Sequence, residues 1–109
     1  MSYQVKYKLW IEADEASFLG SGRIDLLKAV DELGSLSKAA KHLNISYKKA
    51  WELIKSVNEA GHESMTITTT GGSAGGGMKL TAYAKMMINQ FENLQNQTAD
   101  FISHQAFKN

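Results

Sequence analysis

A mainly α-helical chain carrying a small β-sheet is what this sequence predicts, on three observations. Apolar residues recur at helical spacing at Leu26, Leu27, Val30 and Leu33, around Ala50, Leu53, Ile54 and Val57, and along a stripe from Ala84 to Ile102. Two short segments, Met65 to Thr68 and Met78 to Leu80, flank the glycine-rich run Gly71 to Gly77 as the strands of a hairpin would. The length of 109 residues suits one core, and so a single domain over 1–109.

Taken in order, Tyr3 to Ile11 puts Val5, Tyr7, Leu9 and Ile11 on one side and Lys6, Lys8 and Trp10 on the other, the period of two expected of a half-buried strand. A helix of about thirteen residues follows from Ser21, ending where Gly34 supplies a left-handed residue. Ser35 then caps a short helix from Leu36 to Leu43, in which Ala39 and Ala40 leave room for another helix to approach. Asn44 tolerates the left-handed region, and Ser46 caps a third helix starting at Tyr47. At 100° per residue that helix turns Ala50, Leu53, Ile54 and Val57 to one face and Lys48, Glu52 and Lys55 to the other. The two strands and their glycine loop come next. Thr81 caps a last helix, expected over 81–107, bearing Ala84, Met87, Ile88, Phe91, Leu94, Thr98, Phe101 and Ile102 on one stripe. That stripe is longer than so small a core needs.

Composition narrows the chemistry. The chain has no cysteine, which excludes disulfides and thiolate metal sites. No apolar run approaches the roughly 20 residues of a membrane span, and Met1 to Trp10 lacks the apolar core of a signal peptide. A cytoplasmic protein without membrane association is therefore expected. The net charge of +1 conceals an uneven distribution: between Lys38 and Lys55 five lysines stand against Glu52 alone, a local excess of +4. Such a stretch attracts phosphate through Coulomb steering and counterion release, although a lysine-rich face also serves simply as solvated surface.

Two short helices across Asn44 suit a helix-turn-helix over 36–57, in which the first helix braces the second and the second reads base edges. Leu36, Ala39, Ala40, Leu43, Ile45, Ala50, Leu53 and Ile54 fit its buried positions. The same spacing also suits an ordinary helical hairpin in a small bundle. The β-hairpin that follows, over 65–80, sits where a winged helix carries its wing, and favours DNA binding. Lys38, Ser46, Tyr47, Lys48, Lys49, Glu52 and Lys55 are the DNA-contact candidates of the helical pair. Lysine donates to guanine O6 and N7 or to phosphate, and Glu52 can accept from cytosine N4. Tyr47 and Trp51 border the two faces; Tyr47 is expected half buried with its hydroxyl on phosphate, and Trp51 is read as packing. On the wing, the amides of Gly75, Gly76 and Gly77 are expected along the DNA backbone, with Lys79 as its only cationic side chain.

The glycine run is not a phosphate loop. Gly77 is followed by Met78, and Lys79 by Leu80, so the Gly-Lys-Ser/Thr ending is missing, and no parallel βαβ unit surrounds it for a dinucleotide fingerprint. His42, His62 and His104 lack metal-ligand spacing. Glu12, Asp14 and Glu15 fall in the loop after the first strand and read as solvated rather than as an acid/base pair. Neither catalysis, a cofactor nor a metal is expected.

The segment GRIDLLKAVDELGSLSKAAKHLNISYKKAWELIKSVN with the later TTTGGSAGGGMKLTAYA resembles the N-terminal DNA-binding domain of the ModE-type, molybdate-responsive regulators, whose helix-turn-helix is related to that of LysR-type regulators. The resemblance covers roughly Gly22 to Phe91, and SYKKAW, followed about twenty residues later by GG, GGG and LT, is its most specific part. It implies a winged helix-turn-helix, dimerisation through the first strand and the long last helix, and operator binding through Ser46, Tyr47, Lys48 and Lys49. The dimer interface is expected at Met87, Phe91, Leu94, Thr98, Phe101 and Ile102. Ending at Asn109, the chain is expected to lack the C-terminal oxyanion-binding domains of such regulators, and hence a small-molecule ligand. Thr68, Thr69 and Thr70 stand where the family often has a basic residue, which implies weak wing contacts.

The function expected is that of a homodimeric, sequence-specific regulator of transcription on double-stranded DNA, with half-sites about one or two helical turns apart. The alternative is a protein-interaction module of the same fold that binds another regulator through its long apolar helix.

Overall fold

The computed structural model describes residues 3–69 and 77–105. Its elements run β1 (Trp10–Ala13), β2 (Ala16–Gly20), α1 (Ser21–Leu33), α2 (Leu36–His42), α3 (Tyr47–Ala60), β3 (Thr66–Thr69), β4 (Gly77–Leu80) and α4 (Ala82–Ser103). Two separate antiparallel pairs, β1 with β2 and β3 with β4, flank the helices.

The N-terminal strand differs from the expectation. It begins only at Trp10, and Tyr3 to Lys8 are exposed and outside any strand. The reason is the partner: β2 offers five residues, and its register runs out where Trp10 pairs with Gly20. Asp14 and Glu15, both at positive φ (49° and 69°), make the two-residue turn between Ala13 and Ala16, the geometry that matches strand twist in a tight hairpin. A shift in register between Ile11 and Glu12 leaves Phe18 as an extra residue on β2. The bulge lets the consecutive Phe18 and Leu19 both enter the core, which strict alternation forbids.

The helix boundaries match their local signals. Gly34 ends α1 at φ 74°, its N–H bonded to Val30 O at 2.8 Å. The hydroxyls of Ser35, Ser46 and Thr81 accept from the N–H of Lys38, Lys49 and Ala84, capping α2, α3 and α4; each such cap contributes about 1 kcal/mol. Asn44 adopts φ 57°, and Ile45 N reaches back to Ala40 O at 3.0 Å, closing the turn between α2 and α3.

One core joins these parts. Leu26, Leu27 and Val30 of α1 meet Leu36, Ala39 and Ala40 of α2 and Ala50, Ile54 and Val57 of α3, with Met65, Leu80, Ala84, Ile88 and Phe91 closing the far side. Side chains as small as Ala39, Ala40 and Ala50, all fully buried, allow α2 and α3 to cross closely. Leu33 lies at the exposed edge of its helix, and Ile67 is 53% exposed although Met65, two residues earlier, is buried. Along β3 only Thr66 is partly covered, while Ile67, Thr68 and Thr69 are exposed, so the alternation does not translate into one buried face.

The last helix also departs from expectation. It ends at Ser103, short of 107, with His104 as C-cap. Its first turns belong to the core, where Phe91 is 1% exposed, so Phe91 is a core residue of its own chain and not an interface residue. Beyond it Leu94 and Phe101 stand 44% and 67% exposed, with Thr98 and Ile102 partly buried. At 1.5 Å per residue α4 is about 33 Å long, and the molecule measures 63 × 29 × 22 Å. The arrangement of helices and hairpin is that of a winged helix-turn-helix.

Candidate nucleic-acid interface

On α3 the core takes Ala50, Ile54 and Val57, with Leu53 partly covered. What faces outward is Lys48, Lys49, Glu52 and Lys55, all exposed. None of Lys38, Lys41, Lys48 and Lys49 has an ion-pair partner among the described residues. Lys55 is more engaged: its ammonium lies 3.9 Å from Glu59 Oε1 and 5.4 Å from the centre of the Trp51 ring. The expected candidates on α2 and α3, from Lys38 through Ser46, Tyr47, Lys48, Lys49 and Glu52 to Lys55, are thus all exposed. Ser46 spends its hydroxyl on the cap.

Both aromatics of α3 lie further out than expected. Tyr47 is 56% exposed and Trp51 47%, so Trp51 is not core packing. Ala50, Ile54 and Val57 take the core-facing positions of α3, which leaves both rings on the border between its two faces.

Two side chains that sequence reasoning passed over hold α3 in place. Asn58 Oδ1 accepts from Met65 N (2.6 Å) and Thr66 N (3.2 Å), while its Nδ2 donates to Thr66 Oγ1 (2.9 Å). On the other flank Arg23 Nη2 donates to Ser56 Oγ at 3.2 Å. One link fixes the helix to the hairpin, the other to α1. Asn58→Ala strands two partly buried amides, and is expected to cost about 1–3 kcal/mol in urea denaturation. Asn58→Asp keeps the acceptor and should lose less.

The hairpin is fastened at its base to α1. Met78 N donates to Gly34 O (3.0 Å) and Leu80 N to Asp31 Oδ1 (3.0 Å). Gly77 has no room for a side chain, since a Cβ there would come 2.8 Å from Gly34 O and 2.6 Å from Thr69 Oγ1. Its role is this close approach. Lys79 is exposed and donates through Nζ to Asp31 O at 2.8 Å, where a cation suits the negative end of the α1 dipole. Gly75 and Gly76 lie outside the described residues.

Among the described residues no three His, Asp or Glu side chains gather as a metal site requires, and no helix is long and apolar enough to cross a membrane.

Comparison with known proteins agrees with this geometry. Residues 22–85 match the family described as bacterial regulatory helix-turn-helix protein, lysR family. The chain is 34% identical over 87 residues to the transcriptional regulator ModE of Haemophilus influenzae, covering 80% of this chain and 34% of that protein. It is 33% identical over 103 residues to the DNA-binding transcriptional dual regulator ModE of Escherichia coli, covering 92% of this chain and 39% of that protein. The molybdenum transport protein ModE of Azotobacter vinelandii is 33% identical over 88 residues, 81% of this chain and 33% of that protein. The chain thus spans about a third of the length of the curated relatives it matches. These relatives are named as regulators and a transport protein, not as enzymes with a chemistry that the site would have to house. With its helix-turn-helix, hairpin and capped third helix all inside the matched residues, the chain belongs to the lysR family of bacterial regulatory helix-turn-helix proteins.

Proposed function

We propose that this domain is the DNA-reading part of a transcriptional regulator, binding double-stranded DNA as a homodimer in the cytoplasm with α3 in the major groove. The observation that carries the reading is the outer face of α3, where Lys48 and Lys49 stand exposed in the first turn while Ala50, Ile54 and Val57 hold the helix to the core. The first turn is the part of a recognition helix that goes deepest. Lys38 adds a phosphate contact from α2, Glu52 accepts from cytosine N4, and Tyr47 reaches phosphate through its hydroxyl. The wing adds contacts to the DNA backbone through Gly75, Gly76 and Gly77, with Lys79, exposed on β4, as its cationic side chain. Leu94, Thr98, Phe101 and Ile102, joined by the partly covered Met87, form the stripe through which two copies pair.

The test is titration of labelled, sheared genomic duplex at several salt concentrations, followed by fluorescence anisotropy. Affinity is expected to fall steeply between about 50 and 200 mM salt, as counterions are released from each phosphate contacted. Absence of binding at the lowest ionic strength would remove the proposal.

A further inference from the structure

We infer that Trp51, with Tyr47 one turn before it, is a specificity-determining residue that reads thymine methyl groups in the major groove. The inference rests on the reading of α3 as the DNA-facing helix and adds an apolar contact to it. A single exposed aromatic is ordinary on a protein surface. Here two stand in line on one edge of a helix, on the same helix as Lys48 and Lys49, which have no ion-pair partner among the described residues.

Trp51 lies about 60° around the helix from Lys48 and about 20° from Asn58. Asn58 is tied to Met65 and Thr66, so this flank is the one that faces the hairpin, and it is fixed in rotation. Lys55 sits 5.4 Å from the Trp51 ring centre, a cation–π pairing that keeps positive charge next to the apolar ring. A ring so placed enters the groove when the lysines reach their acceptors. Among base edges in the major groove the thymine C5-methyl is the apolar feature, and an indole face has no hydrogen bond to offer the others. Tryptophan and tyrosine are also the side chains that most often dominate contact surfaces, since they bring large area at small entropic cost.

The experiment begins with duplexes selected from a randomised pool by the wild-type protein. Each thymine of the selected half-site is replaced in turn by deoxyuridine, which removes the methyl group alone. At one or more positions the wild type is expected to bind about tenfold more weakly, the scale on which one methyl discriminates. Trp51→Ala should bind the thymine duplex about as weakly and no longer distinguish the two, whereas Lys48→Ala should bind more weakly throughout yet keep the discrimination. Equal binding of thymine and uracil by the wild type, discrimination that survives in Trp51→Ala, or a selected site without thymine overturns the inference and leaves α3 as the DNA-facing helix. Failure to enrich any duplex overturns that reading and the inference with it.

Discussion

Replacing Lys48 and Lys49 together with alanine is expected to lower affinity for duplex DNA by about 100-fold, since each contact to phosphate or guanine is worth about 1–3 kcal/mol. Both side chains are exposed and neither has an ion-pair partner among the described residues, so the folded domain loses nothing with them. Thermal stability should stay within about 0.5 kcal/mol of the wild type, as for most surface substitutions. If both lysines meet phosphates, the slope of log affinity against log salt becomes shallower by about two. If one donates to a guanine instead, the slope changes less and the loss concentrates on one base position. Lys85→Ala, on the exposed side of α4, is the control. Equal losses from Lys85→Ala and the double variant would mean that only overall charge matters and would displace α3 from the groove.

Features encoded locally were legible in the chain. Ser35, Ser46 and Thr81 cap helices because each hydroxyl needs only the amide three residues on. Gly34 and Asn44 mark helix ends because the left-handed conformation is cheap for them alone among their neighbours. The buried set of α2 and α3 follows from the 3.6-residue period, and the lysine face is what remains. The exposed lysine face that forms the candidate site is therefore legible in the sequence.

What escaped depends on partners far away in sequence. The strand β2 was not foreseen, because its turn uses Asp14 and Glu15 at positive φ where Asn-Gly or Asp-Gly would have announced a hairpin. The hydrogen bond from Lys79 to the Asp31 carbonyl, 48 positions earlier, joins two elements that no local pattern links. Asn58 reads as an ordinary polar residue near a helix end, and becomes a clamp only when β3 folds back on it. Trp51 illustrates the converse error: aromatic character suggests burial, yet the ring is 47% exposed on the border between the two faces of α3.

The stripe on α4 predicts two opposite outcomes for two phenylalanines ten residues apart. Phe91 is enclosed by the core of its own chain, so Phe91→Ala opens a cavity and is expected to cost about 3–5 kcal/mol in chemical denaturation, a large share of the roughly 5–15 kcal/mol that holds a domain folded. Phe101 lies beyond the core and is 67% exposed. Its removal leaves few contacts broken within one chain. Phe101→Ala combined with Leu94→Ala should therefore leave the fold of each protomer intact and shift the sedimenting species from dimer to monomer, because Leu94 and Phe101 are seven residues apart and lie within about 20° on one seam. Loss of the dimer then weakens binding to a two-half-site duplex far more than to a single half-site, since the second contact ceases to be intramolecular. If the wild type itself sediments as a monomer at micromolar concentration, the seam awaits a different chain, and the interaction module takes the place of the homodimer. If the double variant unfolds instead, the second half of α4 belongs to the core, and its exposed side chains would have to be explained by packing within the chain.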